Sequence, residues 1–136
     1  MRRAPDFELL TALLDPGALP GMDMAGAARV VSQARVSRLL ASLAMAMQDS
    51  GDLERVDPAV RRHLDSAVLV YEKQKQDLAY DCESIRAALE SVGEKLVLLK
   101  GGAYLQAELP VARGRLITDI DIIVPRERIE AAEQAL

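Results

Sequence analysis

Aromatic side chains are scarce in this sequence: one Phe, three Tyr and no Trp make up 3% of 136 residues. That scarcity argues against a surface that stacks nucleobases on aromatic rings. It also obliges any core to be built from Leu, Val, Ile, Ala and Met, which half-apolar composition supplies. There is one cysteine, Cys82, so no disulfide can form within the chain, and a reducing cytoplasm suits it. Positive charge is not in excess either. The net charge of −4 speaks against broad, sequence-independent binding to phosphate backbones, while leaving room for a local basic pocket. Uninterrupted apolar runs reach only four or five residues, far below a membrane span. Met1-Arg2-Arg3 begins like a signal peptide, but Asp6 and Glu8 interrupt it with no apolar stretch behind. These absences predict a soluble, cytoplasmic chain with no membrane partner.

What is present divides into two unlike parts, an α+β combination with a boundary near residue 93. Residues 1–92 read as all-helical. Phe7, Leu9, Leu10, Leu13 and Leu14 suggest a short first helix, ended by Asp15-Pro16-Gly17. Residues 18–24, with Pro20 and Gly21, read as a loop. From Ala25 to about Met47, apolar residues recur at helical spacing, until Ser50-Gly51-Asp52 breaks the pattern. Asp57-Pro58 then has the form of a helix start, an N-cap acid followed by proline at the first helical position. The helix it opens is expected over about 58–92, with Gly93 as its stop, a rod of roughly 50 Å.

Along that helix Leu64, Tyr71, Leu78, Ile85 and Val92 fall seven apart, with Val60, Ala67, Cys82 and Leu89 at the alternate positions. Gln74 breaks the seam once. Such a stripe either packs into the chain's own core or pairs with a second copy, giving a homo-oligomer through the long helix. His63, in Arg61-Arg62-His63, has no His or Cys neighbour in the sequence and reads as a surface helix residue. Cys82 sits on the seam and reads as a small core residue.

Residues 94–136 change character to strand, turn, helix, strand, helix. Lys95–Leu99 is a short apolar run before Gly101-Gly102, consistent with a buried strand. Ala103–Leu109 suits a brief helix before Pro110. Ile120–Val124 forms a second β-rich run, stopped by Pro125, and an amphipathic helix is expected from Arg126 through Ile129, Ala132 and Leu136.

Two features in this part can carry chemistry. In Asp119-Ile120-Asp121, side chains two apart in a strand share a face, about 6.5–7 Å apart along the backbone. Two carboxylates so placed repel each other unless solvated, protonated or bridged by a cation, and magnesium favours hard oxygen ligands of this kind. A solvated strand face near a turn accounts for the pair equally simply. The second feature is Leu98-Leu99-Lys100-Gly101-Gly102, a strand running into a tight glycine turn before a helix. Glycine lets a backbone approach a ligand closely, and a plain strand-to-helix turn would look the same. Neither a P-loop nor a G-x-G-x-x-G motif is present.

Taken together, Leu98-Leu99-Lys100-Gly101, then Arg115, then Thr118-Asp119-Ile120-Asp121-Ile122-Ile123-Val124-Pro125 resembles the signature of the uncharacterised nucleotidyltransferases. These are a branch of the DNA polymerase β-type nucleotidyltransferase superfamily. The resemblance implies a helical region (1–92) followed by a partial polymerase β-type core (94–136) with a short mixed sheet. It implies transfer of NMP from an NTP to an unidentified hydroxyl acceptor, with Mg2+ or Mn2+ as cofactor. Asp119 and Asp121 would be the catalytic, metal-holding carboxylates. Gly101 and Gly102 would cradle phosphates through backbone N–H groups, while Lys100 and Arg115 would neutralise phosphate charge, with Arg113 a further candidate. Arg113 and Arg115 are equally well explained as a solvated loop pair.

Two departures matter. Many superfamily members carry Gly-Ser where this chain has Gly101-Gly102. The superfamily also places a third carboxylate on a later strand, and Glu127, Glu130 and Glu133 lie in the last helix instead. The expectation is therefore an N-terminal portion of a longer enzyme. The alternative is a non-catalytic scaffold that uses the long helix for assembly.

Overall fold

The computed structural model describes residues 7–136, so the Arg2-Arg3 start of the chain lies outside the described residues. Helices dominate: α1 (Glu8–Leu14), α2 (Met24–Val36), α3 (Leu40–Ser50), α4 (Pro58–Ser91), α5 (Lys100–Gln106) and α6 (Ile129–Ala135). The strands β1 (Leu98–Leu99) and β2 (Asp121–Ile122) supply the sheet, making the fold α+β. Packing divides the chain into two compact units. One comprises the described residues through Tyr71 together with Gly114–Leu116; the other comprises Glu72–Arg113 and Ile117–Leu136.

The first unit is a helical cluster around Leu19, Leu43, Met47 and Leu64, all at most 1% exposed. Asp23 caps α2 by accepting from the Gly26 N–H at 2.7 Å. Capping of this kind contributes about 1 kcal/mol. The expected single helix over 25–47 is in fact two. The Arg38 N–H donates to Arg35 O at 3.1 Å and the Leu39 N–H to Ala34 O at 2.7 Å. This is a Schellman ending, with Arg38 in the left-handed region at φ 59° where a glycine usually stands. The turn lets α3 start anew and bury Leu40, Leu43, Ala44 and Met47. No glycine marks it, so the break is silent in the sequence. The expected loop over 18–24 is also corrected: a 3-10 turn spans Pro16–Gly21. Proline at its first position presets the backbone, and Leu19 anchors the turn in the core.

Helix α4 opens at Asp57, whose Oδ1 accepts from the Ala59 N–H at 2.8 Å. It closes at Gly93 (φ 79°), with the Glu94 N–H donating to Leu89 O at 2.9 Å. Val60, Leu64, Tyr71, Leu78, Cys82 and Leu89 are all buried within the single chain. The seam thus contributes to this chain's own cores. No helix among the described residues is long and apolar enough to cross a membrane.

In the second unit a smaller cluster of Leu78, Cys82 and Ile117 is joined by the half-buried Leu96, Leu98, Leu105 and Ile120. The two strands pair antiparallel, Leu98 opposite Ile122 and Leu99 opposite Asp121. The Ile123 N–H extends the ladder to Val97 O at 3.0 Å. A mixed sheet needs at least three strands, so among the described residues the sheet is antiparallel rather than mixed. Nor is β1 buried on both sides. Leu96 and Leu98 turn inward while Val97 and Leu99 are 48% and 39% exposed, the alternation of a strand with one covered face. Arg128 fastens the approach to α6 by donating to Glu94 Oε1 at 2.8 Å and to Val92 O.

Candidate functional site

The second unit brings the glycine turn and the second aspartate together. Strand pairing sets Leu99 opposite Asp121, which puts the next residue, Lys100, within reach of that carboxylate. Lys100 Nζ donates to Asp121 Oδ1 at 3.1 Å. The lysine side chain is 72% exposed and the aspartate 32%, so the pair sits at the surface. Solvent-exposed pairs of this kind add less than about 1 kcal/mol to stability. The backbone of Lys100 is in the left-handed region, φ 51°. A non-glycine residue held there stores of order 1 kcal/mol and marks a position that its surroundings over-determine.

Helix α5 begins at Lys100 itself, three residues earlier than Ala103, where the sequence suggested it. The two glycines are therefore its first turn. Gly101 packs tightly there: a Cβ on it would lie 3.3 Å from Cγ1 of Ile117 and 3.4 Å from Cδ1, so the Ile117 side chain would have to give by a few tenths of an ångström. Gly102 is buried and looks toward Leu98 at an ordinary 3.8 Å.

The two aspartates occupy different surroundings. Strand β2 starts at Asp121, so Asp119 lies just before it in the extended segment that follows Ile117. Asp119 is exposed and accepts from Thr118 Oγ1 at 3.4 Å, a weak bond at the edge of hydrogen-bonding distance. With Thr118 it lines a concavity of about 690 Å3. Gln74, Asp77, Asp81 and Ser84 of α4 line the same concavity. Asp77 is bonded to Lys73 one helical turn away at 2.7 Å. Among the described residues no group of three or more His, Cys, Asp or Glu is placed to hold a metal ion. Asp121 draws the Lys100 ammonium.

Arg115 is exposed and belongs to the Gly114–Leu116 stretch that packs with the first unit. Gly114 (φ 72°) lies so close to the start of α3 that a Cβ would fall 2.5 Å from Ser42 Cα and 2.8 Å from the Ala41 carbonyl carbon. This close approach was not anticipated from the sequence, where Gly114 is one glycine between two arginines. His63 has a neighbour only in three dimensions: Arg35 Nη2 lies 3.2 Å from its Nδ1. Cys82 is buried, and that burial, followed by the charge of Asp81, pushes its thiol above the ordinary value of 9.0. It has the character of a packing residue, not of a nucleophile.

Gln74 is the residue whose role the sequence concealed. Its Oε1 accepts from the Ile117 N–H at 2.8 Å, across 43 residues of chain. The break in the apolar seam was the visible sign.

The glycine turn, the lysine and the Asp-x-Asp segment thus belong to one packing unit, in the order the sequence motif requires. A family model described as "Uncharacterised nucleotidyltransferase" matches residues 23–136. The chain belongs to that family. The match begins at Asp23, the cap of α2, and so takes in the helices from α2 onward as well as the motif. No curated protein and no solved structure matched the chain. As a member of that family, the protein is of a general nucleotidyltransferase type.

Proposed function

We propose that the second unit binds a nucleoside triphosphate with a divalent cation, as one half of an NMP transfer to a hydroxyl acceptor. The observation that carries this reading is the Lys100–Asp121 contact, which joins the glycine turn to the Asp-x-Asp segment. A carboxylate that attracts an ammonium suits a cation, and Asp119 and Asp121 supply the hard oxygen donors that Mg2+ or Mn2+ takes. When bound, such an ion would polarise phosphate oxygens and offset their charge.

The chain's own residues do the rest. Lys100, leaving Asp121, would place its ammonium on the β- or γ-phosphate. Gly101 and Gly102, lacking side chains, would let backbone N–H groups approach the phosphates. The transfer itself forms a bond between the acceptor oxygen and the α-phosphorus and breaks the bond to pyrophosphate. Magnesium, an NTP and a hydroxyl-bearing acceptor are the partners this reading requires, and the cytoplasm is where it places the protein.

Calorimetric titration with each of the four NTPs, with and without Mg2+, tests the proposal. Binding should require Mg2+ and should fall about 100-fold or more when Asp119→Asn and Asp121→Asn are combined. A folded wild-type protein that binds none of the four overturns the reading.

A further inference from the structure

Gln74 is the one polar residue in the apolar seam of α4, and a free surface position would not explain its contacts. It is half-buried, and its Oε1 accepts from the Ile117 N–H at 2.8 Å. Ile117 is itself only 8% exposed and packs with Leu78 and Cys82. Buried backbone N–H groups need a partner, and no strand neighbour serves Ile117, because β2 begins four residues later. Gln74 fills that gap.

Ile117 in turn touches both halves of the proposed site. Its backbone leads directly into Thr118 and Asp119. Its side chain lies over Gly101, with Cγ1, Cδ1 and Cγ2 all 3.3–3.5 Å from where a Cβ on that glycine would be. Moving Ile117 would therefore move the aspartate segment and the glycine turn relative to each other.

We propose that Gln74 is a positioning residue for nucleotide binding: its hydrogen bond to Ile117 sets the spacing between the Lys100-Gly101-Gly102 turn and Asp119. This rests on the reading of the second unit as a metal–NTP site. Gln74 touches neither phosphate nor cation in this account and acts through Ile117.

The test compares Gln74→Met, which keeps the length of the side chain and loses the acceptor, with Gln74→Glu, which keeps an acceptor oxygen. Leu89→Val is the control for destabilisation alone, since Leu89 is fully buried in the second unit yet neither packs in the Ile117 cluster nor lines the concavity beside Asp119. The readouts are hydrogen exchange of the Ile117 amide, MgNTP affinity well below the melting temperature, and the melting temperature itself. For Gln74→Met, Ile117 exchange should rise about 10-fold and affinity should fall about 10-fold, the worth of one hydrogen bond. Gln74→Glu should restore protection and most of the affinity, and Leu89→Val should leave affinity unchanged.

Unchanged Ile117 protection in Gln74→Met overturns the clamp. Faster exchange with wild-type affinity overturns its role in positioning, as does an equal loss of affinity in Leu89→Val. A wild type that binds no MgNTP overturns the site and the positioning role with it. In that case the exchange measurement still decides separately whether the clamp exists.

Discussion

The two units of this chain use the same kinds of residue to different ends. The first buries Leu19, Leu43, Met47 and Leu64 almost completely in one continuous apolar cluster. The second has a smaller cluster of Leu78, Cys82 and Ile117, with Leu96, Leu98 and Leu105 only half covered, and a fully buried Leu89 farther along α4. Yet the second carries the Asp-x-Asp segment and the glycine turn. The deeper core and the proposed site lie in different units. A thinner core is compatible with a site that must exchange ligands, because elements with few buried apolar contacts open locally at low cost.

The largest expected effect is in the first unit. Leu64→Ala removes a side chain with no exposure and should lower unfolding free energy by about 3–4 kcal/mol, read by urea denaturation. Leu78→Ala, its counterpart in the second unit, should cost about 2 kcal/mol, since a thinner cluster relaxes more readily around the gap. Equal losses at the two positions would break the comparison. Gly114→Ala falls between them. It would put a Cβ within 3 Å of the Ala41 and Ser42 backbone at a positive φ, and should cost about 2–3 kcal/mol.

Lys100→Gly sharpens the comparison in the opposite direction. It relieves the positive φ of Lys100 and should change stability by less than about 1 kcal/mol, the relief being offset by greater freedom in the unfolded chain. MgNTP affinity should nevertheless drop about 10-fold with the loss of the ammonium. Stability without binding is the expected signature of a residue kept for function.

The smallest effect concerns Cys82. Burial raises its thiol above 9.0, so the folded chain keeps the proton longer than the unfolded chain does. Stability is therefore retained below that value and declines as pH rises beyond about 9. At pH 8 the thiol should react slowly with iodoacetamide, and its rate should rise with mild urea before the global transition if the second unit opens first. Labelling that tracks global unfolding alone would argue that the two units open together.

Much of this was legible in the residues. Asp57-Pro58 and Gly93 gave α4 to within a residue because both are helix boundaries with a local physical cause. The Asp-x-Asp segment and Lys100-Gly101-Gly102 were visible as a motif, and strand pairing joined Asp121 to Lys100. The break between α2 and α3 was not visible, because Arg38 adopts a left-handed turn without the glycine that usually announces one. The same holds after α5, where Glu108 takes φ 52°. The close approach at Gly114 and the bond from Gln74 to Ile117 depend on partners 72 and 43 residues away along the chain. No local pattern encodes contacts of that range. Only the interrupted seam hinted at Gln74.

The most direct test of the account is Mg2+-dependent NTP binding by the wild type and by the Asp119→Asn/Asp121→Asn variant, each shown to be folded by its melting curve. The account predicts saturable binding that needs Mg2+ in the wild type and is lost in the variant, with little change in melting temperature. Binding that survives in the variant, or that ignores Mg2+, would contradict the assignment of these carboxylates.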